Sequence, residues 1–244
     1  MSQTIERFRA RVATSLPRLA ARAILGEPDR HLASGPVRFE GATFDFCAPY
    51  PTWAKAKQRG IESTICRFIM PPGGVGLDIG ANAGFLTAVM SLSAGSEGKV
   101  LAAEADPLVH AVLKRNIAAN DFSADAICAR IGLPPNVTAD QMVGDWRLRR
   151  VDFLKVDVDG SDLAVLHGGV ETLWRFHPVV VVEITRDQAA IFDFLRDAGY
   201  GFVTGMSGEP VEPGSWPPNL FASTRPIRVP KWGEIAARRE AGSA

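Results

Sequence analysis

The sequence predicts an α/β fold built around a mainly parallel sheet, and three observations support that prediction. Short apolar runs alternate with segments whose apolar residues recur three or four positions apart, as in repeated strand–helix units. A turn containing two glycines, residues 80–84, follows the first strongly apolar run. Two later runs, VDFLKVDV and PVVVVEI, are apolar almost throughout, which is typical of central parallel strands covered on both faces.

The composition indicates one domain with short appendages. The 244 residues suffice for a single α/β domain with a sizeable core. Lysine plus arginine and aspartate plus glutamate both number 27, so the formal net charge is zero, and we expect no nucleic-acid partner. Cys47, Cys66 and Cys128 form no C-x-x-C pair, which favours a reducing, cytoplasmic location without structural zinc. We expect all three cysteines to be buried apolar residues.

Residues 1–34 are expected to form a basic amphipathic segment ahead of the domain. Pro17 divides it into two predicted helices, with Ser15 as a cap and Gly26 as a stop. Arginines interrupt its apolar residues, so we expect neither a secretory signal nor a membrane span. Packing over the domain or against a partner subunit is the expected role, and contact with an anionic membrane surface is the alternative.

The domain itself is predicted to span residues 35–230, with 231–244 as a tail. Alternation about Gly41 predicts a hairpin over 35–48, and a helix is expected over 61–70. The remaining predicted elements are a strand over 75–79, a helix from Phe85, a strand over 100–103, a helix capped by Asp106 that starts at Pro107 and stops at Asn120, strands over 126–131, 151–158 and 178–184, a helical stretch capped by Ser161 and interrupted at Gly168-Gly169, a helix from Thr185 to Gly199, and strands over 200–204 and 219–223.

The turn after the first core strand predicts a cofactor site. Gly80 and Gly84 allow a tight bend and a close approach of backbone to ligand. Glu104 ends the second strand, near where such a unit holds an acid that accepts hydrogen bonds from ribose hydroxyls. The dinucleotide pattern G-x-G-x-x-G is absent because Asn82 replaces the middle glycine, and Asp78 would repel a pyrophosphate. These residues suit a cationic ligand with ribose hydroxyls, such as S-adenosylmethionine.

Carboxylates also end the two later apolar strands. Asp157 and Asp159 are two positions apart, so in an extended chain both would point to the same face, and Glu183 ends the next strand. Close carboxylates need a shared proton or a cation between them. Three roles are open: general base for a hydroxyl, ligand set for Mg²⁺ or another hard cation, and electrostatic support for a sulfonium. Helix capping by Asp159 or Ser161 is the structural alternative, and His167 is a further candidate base.

Taken together, these motifs resemble the FkbM family of S-adenosylmethionine-dependent methyltransferases. The segments that carry the resemblance, within about residues 60–184, are LDIGANAGFLT, AEADP, LKRNIAAND, DFLKVDVDGSDLAVLHGG and PVVVVEI. The resemblance implies a Rossmann-like class I methyltransferase fold, with a mainly parallel seven-stranded sheet, helices on both faces and an antiparallel C-terminal strand. It also implies methylation of a hydroxyl on a sugar or secondary-metabolite scaffold.

The resemblance further implies roles for individual residues. The residues implied to bind the cofactor are Glu62, Asp78, Gly80, Asn82, Gly84, Glu104, Ala105 and Asp157. Among them, Glu104 would bind the ribose and Asp157 would lie near the transferring methyl group. Asp159 and Asp162 are shorter than the glutamates typical of the family, a difference that bears on the substrate rather than on the cofactor. An N-methyltransferase and a non-catalytic S-adenosylmethionine-binding module are the alternatives.

Overall fold

The structure, a computed structural model, describes residues 32–39, 41–49, 52–53, 56, 66, 69–206 and 208–227. Several predictions therefore lie outside the described residues: the N-terminal helices, most of the helix over 61–70, Glu62 and the C-terminal tail. The domain boundaries stay predictions for the same reason. No helix within the described ranges combines the length and the apolar character that crossing a membrane requires.

An antiparallel hairpin begins the described chain. Strand β1 (Leu32–Phe39) pairs with β2 (Ala42–Pro49) across a turn at Gly41, whose φ is +81°. The hairpin was predicted, but β1 begins at Leu32, within the range assigned to the N-terminal segment. The strands of the second sheet are β3 (Val75–Ile79), β4 (Lys99–Glu104), β5 (Ala124–Cys128), β6 (Phe153–Val156), β7 (Val179–Glu183), β8 (Phe202–Thr204) and β9 (Asn219–Ser223).

The seven strands are ordered β5-β4-β3-β6-β7-β9-β8 across this sheet. Neighbouring strands from β5 to β7 are parallel, whereas β9 runs antiparallel to both β7 and β8. The predicted fold class, a mainly parallel seven-stranded sheet with an antiparallel C-terminal strand, is confirmed. The strand order reverses between β3 and β6, which leaves a crevice at their carboxyl ends where ligands of such sheets bind.

Helices connect the strands and cover both faces of the sheet. Their bounds are α1 (Phe85–Ala94), α2 (Pro107–Ala119), α3 (Ala139–Asp145), α4 (Asp162–His167), α5 (Val170–Phe176) and α6 (Gln188–Asp197). The Asp106 carboxylate caps α2 by accepting hydrogen bonds from two N–H groups of its first turn, as predicted. Helix α3 was not predicted, although a Thr138–Gln141 capping box gave the signal for it.

The structure corrects one predicted helix cap and one predicted helix start. Ser161 occupies the N-cap position of α4, but its side chain makes no capping hydrogen bond. Helix α6 starts at Gln188 rather than at Thr185, because Asp187 takes a left-handed conformation with φ +53°. The α4–α5 interruption at Gly168-Gly169 is confirmed.

Apolar side chains fill the layers on both sides of the sheet. Leu77, Leu154 and Val180 belong to one cluster and are fully or almost fully buried, while Phe153 and Val181 belong to another. Since consecutive strand residues alternate between these clusters, the strands are covered on both faces, which explains their continuous apolar sequences.

The hairpin packs on helices α1 and α2 through aromatic side chains. Phe39 and Phe46 contact Phe85 edge-on, with ring centroids 5.9 and 5.7 Å apart. Cys47 is buried in the same layer, and Cys66 is also buried, as predicted. Cys128 is exposed, contrary to prediction, because it ends β5, which is the edge strand of the larger sheet.

Candidate functional site

A cavity of about 560 Å³ opens at the carboxyl ends of the parallel strands, around the point where the strand order reverses. This volume is within the range of roughly 300–1,000 Å³ that is usual for small-molecule sites. The predicted site residues on its wall are Gly80, Asn82, Glu104, Ala105, Asp157, Asp159 and Glu183. The fold therefore brings together residues that lie up to a hundred positions apart in the sequence.

The turn between β3 and α1 is fixed against the neighbouring strands. The N–H groups of Gly80 and Ala81 both donate to the carbonyl oxygen of Ala103, over 2.9 and 3.0 Å. Gly80 has φ +82°, and a Cβ there would lie 1.8 Å from the carbonyl oxygen of Asp157. We predicted that this glycine gives a ligand room. The structure supplies a more immediate reason, because the strand ends meet backbone to backbone.

Glu104 joins two segments of the cavity wall. Its Oε2 accepts a hydrogen bond from the N–H of Asn82 (2.9 Å), and its Oε1 accepts one from the N–H of Asp106 (2.8 Å). Each carboxylate oxygen has a second lone pair, so both can still accept bonds from a ligand hydroxyl. The carboxylate is thus held in place before a ribose arrives, which lowers the entropy lost on binding.

Asp78 and Gly84 contribute to the layer beneath the cavity instead of to its described wall. Asp78 is only 1% exposed, and its carboxylate accepts a hydrogen bond from the Thr87 hydroxyl of α1 at 2.5 Å. Gly84 has φ +87° and precedes α1, where a Cβ would lie 2.4 Å from a methyl group of Leu113. These two residues therefore position the turn rather than face the cavity.

Asp157 and Asp159 both border the cavity, but not as an extended chain would place them. Strand β6 ends at Val156, and Asp159 takes a left-handed conformation with φ +50°. Asp162 closes this turn: its buried carboxylate accepts hydrogen bonds from the N–H groups of Val158 (3.1 Å) and Gly160 (3.2 Å). The extended geometry on which the prediction for Asp157 and Asp159 rested is not present, because the chain turns between them, yet both residues border the same cavity.

The predicted Mg²⁺ ligand set is not formed. Asp157, Asp159 and Glu183 lie on the same wall, but no three histidine, cysteine, aspartate or glutamate side chains of the described ranges are grouped so as to hold a metal ion. One oxygen of Asp157 lies instead 3.3 Å from the Nζ of Lys155. The cation beside Asp157 in this structure is therefore the Lys155 ammonium, where we had predicted a metal ion.

The prediction of His167 as a base is also corrected. His167 is exposed in the last turn of α4, and its ring packs edge-on against Phe194 with centroids 4.7 Å apart. It is not among the described residues that border the cavity. Helix α4 begins beside the cavity, after Ser161, and His167 lies at its opposite end.

We did not predict two positively charged side chains at the site: one borders the cavity, and the other pairs with a residue of the cavity wall. Arg130 follows β5 and borders the cavity, and Lys155 lies within β6 with a side chain only 1% exposed. The sequence did carry a signal for the lysine. A charged residue inside the apolar run VDFLKVDV has to be paired when that strand is buried.

Comparison with known proteins supports this description of the fold. Residues 133–202 match the family model of the methyltransferase FkbM domain. The search of curated proteins found no match. Among solved structures, an S-adenosylmethionine-dependent O-methyltransferase from Thermotoga maritima is 15% identical, with 80% of this chain and 78% of that chain covered and a TM-score of 0.51. At this level of identity the similarity concerns the fold alone.

Two further solved structures are similar at lower TM-scores. An FkbM methyltransferase from Methylobacillus flagellatus is 16% identical, with 61% of this chain and 43% of that chain covered and a TM-score of 0.46. A methyltransferase from Aquifex aeolicus that depends on S-adenosylmethionine is also 16% identical, with 68% and 89% covered and a TM-score of 0.44.

The cofactor suits the residues present. The cavity holds the carboxylate that ribose hydroxyls need, and its wall carries the negative charge that complements a sulfonium. The class I methyltransferase fold, the glycine turn with Glu104, and the domain match over residues 133–202 agree with one another. Over residues 133–202 the chain therefore matches the methyltransferase FkbM domain, the family that its sequence motifs resemble.

Proposed function

We propose that this chain transfers the methyl group of S-adenosylmethionine to a hydroxyl of a small, uncharged acceptor such as a sugar or a secondary-metabolite scaffold. The observation that carries the proposal is that Asp157 and Asp159 border the same cavity as Glu104. One acid is thereby available for the ribose, and two more are available where the acceptor has to meet the methyl group.

The order of the strands divides the cavity into two halves. Glu104, Ala105 and Arg130 follow β4 and β5 on one side of β3, and this half would hold the nucleoside. Asp157, Asp159 and Glu183 follow β6 and β7 on the other side, and this half would hold the acceptor. The turn at Gly80 lies between the halves and would lie beside the sulfonium.

The charges on the acceptor half support a neutral acceptor. All three ionisable side chains there are carboxylates, and Arg130, the cation among the described residues of the wall, lies on the nucleoside half. Carboxylates repel phosphate and other anions at short range, which argues against a nucleic-acid substrate. They accept hydrogen bonds from hydroxyls, which suits a sugar or a polyhydroxylated scaffold.

The chemistry needs positioning and one proton acceptor. When bound, S-adenosylmethionine supplies an electrophilic methyl group on a positively charged sulfur. Residues on the acceptor half would hold the hydroxyl oxygen in line with the bond from carbon to sulfur, which by itself accounts for much of the rate. Asp157 or Asp159 would take the hydroxyl proton as the new carbon–oxygen bond forms and the carbon–sulfur bond breaks.

Isothermal titration and labelled methyl transfer test this proposal. We expect the protein to bind S-adenosylmethionine and not NAD⁺, and to label a small molecule in an extract of the producing cell when given methyl-labelled cofactor. Binding without labelling of any acceptor would indicate the non-catalytic module. A panel of alcohols and amines then separates O-transfer from N-transfer, since an acidic wall also suits an amine.

Replacing Asp157 with asparagine keeps the side-chain size and removes the proton acceptor. We expect Asp157→Asn to reduce the transfer rate by about 10²- to 10⁴-fold, as is usual for a lost general base. Asp145→Asn, an exposed position at the end of α3, is the matched control and should keep full activity. Normal turnover by Asp157→Asn would rule out its role as the base and leave Asp159 as the candidate.

A further inference from the structure

Lys155 is a buried cation at the centre of the sheet. It lies in β6 with its side chain 1% exposed, and its neighbours on the same face include the apolar residues Phe153 and Val181. Helix α1, which covers this face, carries no charged residue. Burial of an ammonium group in such a layer is costly unless opposite charges compensate it.

Two carboxylates supply that compensation. In the register of the parallel strands, Lys155 lies opposite Asp78 of β3, so the two buried side chains are on the same face of the sheet. Neighbouring strands lie about 4.8 Å apart. Asp157 follows two positions later, and its Oδ2 lies 3.3 Å from the ammonium nitrogen. The buried ammonium thus pairs with an acid of the cavity wall, and an acid of the core lies at the same register on the adjacent strand.

The two acids differ in what they can reach. Asp78 is enclosed and binds Thr87, whereas the Asp157 side chain is 38% exposed and borders the cavity. Two carboxylates and one ammonium leave one negative charge in excess. Bound S-adenosylmethionine has one positive charge in excess, since its sulfonium and ammonium outnumber its carboxylate. The positive charge of the cofactor therefore complements the negative charge of this group and of the other carboxylates on the cavity wall.

We propose that Lys155 is a positioning residue for methyl transfer, whose buried ammonium fixes the Asp157 carboxylate in the cavity wall and balances the buried charge of Asp78. This inference rests on the proposed function, because it gives Lys155 its role through Asp157. One oxygen of Asp157 is directed to β6 by the ion pair, and the exposed remainder of the carboxylate can serve the acceptor. Lys155 itself touches neither cofactor nor acceptor.

A double-mutant cycle tests the inference. Lys155→Met alone leaves Asp78 as an uncompensated buried charge, so the test variant combines Asp78→Asn with Lys155→Met and is compared with Asp78→Asn alone. We expect the combined variant to lose at least about tenfold in the rate of methyl labelling, the equivalent of one lost charge-assisted hydrogen bond. Its affinity for S-adenosylmethionine should change little, because Glu104 is intact. The same comparison is then made in chains that also carry Asp157→Asn. If Lys155→Met lowers the rate there by the same factor as when Asp157 is present, Lys155 does not act through Asp157.

The outcomes separate a positioning role from a merely structural one. Lys155→Arg should recover most of the rate, because it keeps the charge. A combined variant with the rate of Asp78→Asn would overturn the inference. If the combined variant does not fold, NMR of the lysine ammonium in the unmodified chain replaces it: Asp157→Asn should shift the Lys155 resonance, and an unchanged resonance overturns the ion pair. This NMR test holds even if the wild-type chain fails to bind S-adenosylmethionine, a result that would refute the proposed function instead.

Discussion

At the scale of single residues, two carboxylates shape the cavity by accepting hydrogen bonds from the backbone. Glu104 binds the N–H groups of Asn82 and Asp106, and Asp162 binds those of Val158 and Gly160. Each therefore holds a turn that follows a strand. We predicted a ligand for Glu104 and no structural role for Asp162, yet both side chains also fix the geometry of the cavity wall.

The first prediction at this scale concerns Glu104. Glu104→Ala removes the acceptor for ribose hydroxyls and frees the Asn82 turn, so the affinity for S-adenosylmethionine should fall by about 1.5–3 kcal/mol, or roughly 10- to 150-fold. Isothermal titration measures the change. Glu97→Ala, an exposed position in the turn before β4, should bind as the wild type does. Unchanged affinity in Glu104→Ala would place the ribose elsewhere.

Cys128 gives a second prediction because its thiol lies near two acids. Partial burial, followed by the charges of Glu104 and Asp106, raises the pKa of Cys128 above its ordinary value of 9.0. The thiolate is therefore scarce at pH 8, and alkylation by iodoacetamide should be slow despite exposure of the residue. Glu104→Ala removes one negative charge, so it should lower the pKa and speed alkylation at that pH. A rate unaffected by this substitution would contradict the electrostatic explanation.

At the scale of elements, a buried asparagine side chain binds the hairpin to helix α2. Asn116 is buried; its Nδ2 donates to the carbonyl oxygens of Cys47 and Ala83 (2.7 Å each), and its Oδ1 accepts from the N–H of Cys47 (3.0 Å). Ala83 belongs to the turn between β3 and α1. One side chain therefore connects the hairpin, α2 and the cofactor turn.

This connection predicts a loss of stability. Asn116→Ala leaves three buried backbone groups without this partner, and we expect a loss of at least about 2 kcal/mol in the free energy of unfolding. For a chain of this size that corresponds to a melting temperature lower by roughly 4–8 °C, measured by scanning calorimetry. Asn136→Ala, at an exposed loop position, is the control. If both variants melt at the same temperature, the hydrogen bonds of Asn116 add nothing measurable to the stability.

At the scale of the whole molecule, the cofactor should stabilise the folded chain, because it would contact both halves of the cavity. A ligand that binds only the folded state at a hundred times its Kd stabilises by about 2.7 kcal/mol. We therefore expect S-adenosylmethionine at that concentration to raise the melting temperature by roughly 5–11 °C. NAD⁺ at the same concentration should have no effect, because the turn lacks the glycine pattern that binds a pyrophosphate. A shift with NAD⁺ as well would mean that the site does not exclude a dinucleotide.

The sequence by itself determined the fold class, the cofactor turn and most helix starts. These depend on local patterns: apolar periodicity, glycines at tight turns, and an acid such as Asp106 before a proline. They can be read locally because a backbone conformation is set mainly by neighbours within a few positions. The family resemblance rests on the same short segments.

Only the tertiary structure decided which carboxylates face the cavity. Asp78, Asp157 and Asp159 look alike in sequence, but Asp78 lies under α1, Asp157 pairs with Lys155, and Asp159 stands on a left-handed turn. The loss of the metal site and the removal of His167 from the site follow from the same cause. Which side chain meets which depends on strand register and on where each strand ends, and both are settled by packing between residues far apart in the chain.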